Sequence, residues 1–120
     1  MSTTLMDSVT ISPEGNNISS SVDLSSITKP HCVGIEFTAI KSGDITGEVK
    51  LKLLGSLDGV TYDSNNKGRP ISNISTFDAT TMVDVTSFVN TGFNYIKFYI
   101  ENTDMVNSVD VTIKYTTNST

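Results

Sequence analysis

The sequence predicts an all-β protein, a single antiparallel β-sandwich of jelly-roll type with about eight strands. Apolar residues recur at every second position in nearly every patterned segment, the period of a strand that buries one face. Turn-forming residues break these segments at spacings of roughly 8–15 residues, as short-stranded sandwiches require. Charged residues make up only 18% of the chain, and Ser, Thr and Asn stand where surface helices would favour Glu, Lys, Ala and Leu. At 120 residues one domain over 1–120 is expected. Size scaling gives about 6,300 Å² of folded surface against about 18,700 Å² unfolded, enough burial for a core without disulfides or metal.

Taken in order, Ser8 to Ile11 opens the alternation, and Ile18, Ser20, Val22 and Leu24 continue it after the turn Pro13-Glu14-Gly15-Asn16. Val33, Ile35, Phe37 and Ala39 share one face of the next strand. Val49, Leu51 and Leu53 then point inward, with Glu48, Lys50 and Lys52 outward. Gly55 to Gly59 is a tight connection into Val60-Thr61-Tyr62, and Asp58-Gly59 supplies residues that tolerate positive φ. Asp63 to Pro70 reads as the longest polar loop. Met82 to Val85 is a strand rather than a helical turn, because Thr80, Thr81, Val83 and Val85 are β-branched. Phe93 to Ile100 is apolar or aromatic on both faces, the mark of a central strand. Ile96, Phe98 and Ile100 face the core, and Tyr95 and Tyr99 flank Lys97 outside. Val109 to Tyr115 closes the sheet. The ends, 1–6 and 117–120, are expected to be flexible or docked on a partner.

Composition excludes several functions. The net charge is −5, and Arg69 is the single arginine among eight basic residues, whereas phosphate and anionic-membrane surfaces need clustered Lys and Arg. No apolar run approaches the roughly 20 residues of a membrane span. Met1 to Asp7 lacks the basic stretch and apolar core of a secretion signal, so synthesis in a cytoplasm is expected.

Cys32 is the sole cysteine, which forbids an internal disulfide, and beside Val33 it reads as a small buried hydrophobe. His31 is the sole histidine, expected at a surface or strand-edge position. Neighbours on a strand point to opposite faces, so His31 and Cys32 do not form a nucleophile–base pair. No Gly-x-Ser-x-Gly elbow accompanies them, and one His with one Cys falls short of a zinc site. Asp58, Asp63, Asn65 and Asn66 offer oxygen ligands but not at calcium-loop spacing, so they read as turn formers. No enzyme activity, metal or cofactor is expected.

Three blocks occur in order: Val22-Asp23-Leu24-Ser25 leading to Lys29-Pro30-His31, then Leu53 to Tyr62 (Leu-Leu-Gly-Ser-Leu-Asp-Gly-Val-Thr-Tyr), then Tyr95 to Ile100 followed by the strand Val109 to Tyr115. Over residues 5–116 this order resembles small β-sandwich accessory proteins of tailed bacteriophages: decoration, head-fibre or tail components. The resemblance implies a non-enzymatic virion protein, most in keeping with capsid decoration. Its partners would be the major capsid or a neighbouring structural protein, with homo-oligomerisation and neither nucleic acid nor membrane. The Gly-Ser-Leu-Asp-Gly-Val turn also resembles discoidin-like carbohydrate-binding sandwiches. That alternative implies a glycan-binding module for host or mucus attachment, with Tyr62, Tyr95 and Tyr99 standing in for the usual tryptophan. Partner contact is expected from the N-terminal residues Met1, Leu5 and Met6 and from Asn65, Asn66, Lys67 and Arg69 of the long loop, the parts free to reach out without disturbing a core.

Overall fold

A computed structural model describes residues 2–119, with side chains described as far as Asn118. It contains nine strands: β1 (Thr3–Ile11), β2 (Asn16–Ile18), β3 (Val22–Asp23), β4 (His31–Lys41), β5 (Val49–Ser56), β6 (Arg69–Ile74), β7 (Thr81–Asn90), β8 (Tyr95–Asn102) and β9 (Val109–Ser119). They form two sheets. One has the order β1-β9-β4-β7, and the other β2-β8-β5-β6, with β3 also on β8. Every strand pair is antiparallel, and the two sheets pack as the expected sandwich.

Alternation explains the packing. His31, Val33, Ile35, Phe37 and Ala39 point inward from β4, and Val49, Leu51 and Leu53 from β5. Ile96, Phe98 and Ile100 meet them from β8, and Val109, Val111 and Ile113 from β9. Paired residues share a face, so Leu53 lies opposite Phe98 and Phe37 opposite Ile113. The accessible surface is 6332 Å², the value that the size scaling gives.

Five expectations are corrected. β1 begins at Thr3 and pairs with β9, so most of the presumed loose N-terminus is strand. Met6 is 7% exposed and belongs to the core. Leu5 packs partly buried against that core, and Met1 lies outside the described residues. The run 117–119 likewise completes β9 opposite His31, Cys32 and Val33. The polar loop is shorter than expected: Asn65–Lys67 form a single 3₁₀ turn, and Arg69 and Pro70 already begin β6. His31 is fully buried and Cys32 is half-exposed on the outer face. Parity decides this, because His31 lies an even number of residues from Val33, Ile35 and Phe37.

Asparagines pin the connections at each end of the sandwich. At one end Asn90 accepts the Gly92 and Phe93 N–H groups and donates to the Phe93 carbonyl at 2.8 Å. Its amide also lies 3.3 Å from His31 Nε2. At the other end the fully buried Asn102 donates to the carbonyls of Ile11, Ser12 and Asn107. Asp104 beside it accepts backbone N–H bonds from Thr46, Gly47, Val106 and Asn107. Those four donors hold its carboxyl far below the usual range, since each stabilises the ionised form. The Gly59 turn follows expectation: φ is +80°, and Asp58 Oδ1 caps the turn by accepting from Val60 and Thr61 N–H.

Candidate functional site: an open seam between two strand edges

A two-sheet sandwich has four edge strands, and an exposed edge templates pairing with another chain unless it is blunted. Three edges here are blunted. β1 carries two register shifts and a positive φ at Ser8. β2 has only three residues. β6 contains Pro70, which donates no backbone hydrogen bond, and a register shift opposite Leu51 and Lys52. The fourth edge is different. β7 is ten residues long, and its register with β4 is unbroken from Thr81↔Ile40 to Asn90↔His31. It has no proline, lysine or arginine, and Asp84 is its one charged residue.

The outward face of β7 is apolar. Val83, Val85 and Val89 are 53%, 75% and 57% exposed, in a row with Thr81 and Ser87. Beside Val85 a depression forms over Gly34, where a Cβ would stand 2.9 Å from Thr116 Oγ1.

The inward face of β7 borders the place where the sheets part. β6 and β7 are the edges of opposite sheets, and Ser72 on β6 donates to the Asp84 carboxylate across the gap. On either side of that bridge the seam opens into a cleft. One, of about 480 Å³, is lined by Leu53, Ile71, Phe88 and Phe93, with Arg69 and Val89 at its rim. The other, of about 340 Å³, includes Ile74, Met82, Val83 and Asp84. Phe93 is fixed from below because Gly55 has no side chain: a Cβ there would stand 2.3 Å from the ring. The Arg69 guanidinium lies 4.7 Å from the Phe93 ring centre and pairs with Asp63, whose carboxyl is held below its usual range chiefly by the Gly55 N–H. The seam therefore offers backbone hydrogen bonds, apolar clefts and two charges of opposite sign. Those are the features that take up an extended polypeptide.

The expected contact residues are not brought together. Leu5 and Met6 sit on β1, at the opposite edge of its sheet from β7. Asn65, Asn66 and Lys67 are exposed on their 3₁₀ turn. Among the described ones, Arg69 alone reaches the seam. Alternation over Thr81–Asn90 marks Val83, Val85 and Val89, but only topology reveals that they lie on an edge. The calcium candidates Asp58 and Asp63 are spent on local bonds, and no metal-binding acid, His or Cys cluster occurs among the described residues. On the outer face of the second sheet Tyr62, Tyr95 and Tyr99 form an aromatic strip. Lys97 Nζ stands 4.3 Å from the Tyr62 ring centre, and the Tyr62 hydroxyl bonds Ser21.

Set against known proteins, the chain matches no family model and no curated protein sequence. Solved structures resemble it in fold. The CBM22-1 xylan-binding domain of Paenibacillus barcinonensis Xyn10C superposes with a TM-score of 0.55 at 9% identity, over 83% of this chain and 64% of that one. Dimeric latent PorU from Porphyromonas gingivalis gives a TM-score of 0.52 at 15% identity, over 92% of this chain and 11% of that one. The chain thus spans less than two thirds of either. Such identities establish a shared β-sandwich architecture and leave function to the site itself.

Proposed function

We propose that this chain is a non-enzymatic protein-docking module of a tailed-bacteriophage particle, a capsid decoration protein that binds and stabilises the assembled shell. The supporting observation is the contrast among edges: three are blunted, while β7 is long, regular and apolar beside an open seam. Keeping one such edge risks aggregation, so its retention fits an edge that is covered in the working assembly. The resemblance of the order of sequence blocks to that of phage accessory proteins suggests the setting. A symmetric shell repeats each contact many times, so a modest affinity per site suffices when neighbouring subunits are also linked.

The glycan alternative would use the tyrosine strip. It has less support, because sugar stacking needs an open ring face and Lys97 already lies over Tyr62. Particles purified from cells expressing Val85→Lys or the wild-type chain test the docking reading. Val85 is exposed, so the lysine leaves folding intact. Its charge would remain beside a desolvated contact, and occupancy should fall at least tenfold. Equal occupancy of the two forms would overturn the use of this edge. Absence of the wild-type chain from particles, or glycan retention lost on Tyr62→Ala, would overturn the virion reading.

A further inference from the structure

We infer that the occupant of the β7 edge is a second copy of this chain, paired antiparallel about a two-fold axis at Thr86. This names the partner for the docking edge and so rests on the reading above. The inference begins with symmetry. A two-fold perpendicular to the sheet pairs β7 with its copy so that opposite residues share a face, which requires their numbers to sum to an even value. Centring the axis on Thr86 places Val83 opposite Val89 and Val85 opposite Ser87, each twice. Nine of the ten β7 residues, Met82 to Asn90, then find partners within the strand. Centring on Val85 would also pair nine residues, Thr81 to Val89, but would set Phe88 opposite Met82; centring on Asp84 would oppose two carboxylates, and centring on Ser87 would leave Thr81, Met82 and Val83 without strand partners.

Charge supports the same register. The seam carries Arg69 beside Phe88 and Val89 in one cleft and Asp84 on the border of the other. With the axis at Thr86, Phe88 of one copy lies opposite Asp84 of the other. The Arg69 end of each seam therefore meets the Asp84 end of its partner. Arg69 uses Nη1 on Asp63, and Asp84 uses Oδ2 on Ser72, which leaves Nη2 and Oδ1 for a contact across the axis. Each opposite-sign meeting occurs twice, offsetting part of the repulsion between copies of net charge −5. Joining the edges would give one continuous eight-stranded sheet, cover the regular β7 edge of both copies and set the two valine rows side by side on its outer face.

The register can be read chemically. In a Cys32→Ser background, Val83→Cys and Val89→Cys are introduced together and singly, and the proteins are oxidised mildly. Opposed residues in an antiparallel pair have Cα atoms about 4.5–5.5 Å apart, within disulfide reach. Within one chain the two positions are six residues apart, about 20 Å along a strand, so they cannot bond to each other. The double variant should give a covalent dimer in high yield and each single variant little. Sedimentation should show a dimer of the Cys32→Ser protein at micromolar concentration, converted to monomer by Val85→Lys. A monomer throughout the micromolar range would overturn the inference, as would a dimer that crosslinks no better in the double variant than in the singles. A chain that is monomeric alone yet loses particle occupancy on Val85→Lys overturns the self-pairing and leaves the docking edge standing. A dimer with the predicted crosslinks that is absent from particles does the reverse.

Discussion

Truncating Phe98 to alanine removes the ring at the middle of the sandwich. Phe98 is fully buried on β8, opposite Leu53 of β5, and its backbone N–H donates to Ser19 Oγ at 2.9 Å. A phenyl side chain buries at least about 150 Å², which at about 25 cal/mol per Å² is about 4 kcal/mol of transfer free energy. Alanine keeps a small part of this. The void left between two close-packed sheets adds a cavity cost, because the strands on either side of β8 hold it in register. The net loss should be about 3–5 kcal/mol. For a domain of this size that lowers the melting temperature by about 12–20 °C at about 4 °C per kcal/mol. Guanidinium unfolding followed by far-ultraviolet circular dichroism should show a lower midpoint with an unchanged slope. A loss below about 1 kcal/mol would refute the placement of Phe98 at the centre of the core.

Three further outcomes follow from local geometry. Gly59→Val should cost about 1–3 kcal/mol, because φ there is +80° and a Cβ would stand 3.1 Å from the Tyr95 ring, while Lys50→Thr should change stability by less than about 0.5 kcal/mol; equal effects would remove the turn argument. Asp104→Asn should lower the unfolding midpoint at pH 7, since the new amide turns hydrogens toward the Val106 and Asn107 N–H groups that the carboxylate accepts. The folded pKa of Asp104 is depressed, as are those of Asp23, Asp58 and Asp63. Their stabilisation is therefore present above the unfolded carboxylate pKa of about 3.9 and is lost as the pH falls below it. The wild type should lose stability below about pH 4 more steeply than Asp104→Asn, and parallel acid profiles would contradict the assignment. Gly55→Val should push Phe93 out of the seam wall and lower stability, visible as an altered Phe93 ring environment by NMR; an unshifted ring would contradict the close approach.

Most of the core was legible because alternation is a local signal: Val33, Ile35 and Phe37 announce their face without reference to anything distant. His31 obeys the same parity and ends that row, although its polar ring argues for a surface position. β6 was hidden because Ser72 occupies a core-facing position and a bulge breaks its period, leaving Ile71 and Ile74 out of step. Met6 is not legible as core because a chain terminus is ordinarily loose, and nothing local to it reveals its β9 partner Ile113 more than a hundred residues away. Asp104 is legible only as a turn residue, through its local donors Val106 and Asn107, since its other donors Thr46 and Gly47 lie 58 and 57 residues off. The seam is likewise a property of topology. Val83, Val85 and Val89 look like any half-exposed strand until β7 is known to end its sheet.

The measurement that bears most directly on the docking edge is amide hydrogen exchange of the chain free at low concentration and bound to purified particles. A strand paired on one side leaves alternate N–H groups open to solvent, and covering the edge slows their exchange. Residues 81–90 should gain strong protection on the particle, while β1 and the tyrosine strip exchange as before. Unchanged exchange over 81–90, with protection appearing instead on β1 or around Tyr62, would contradict the account.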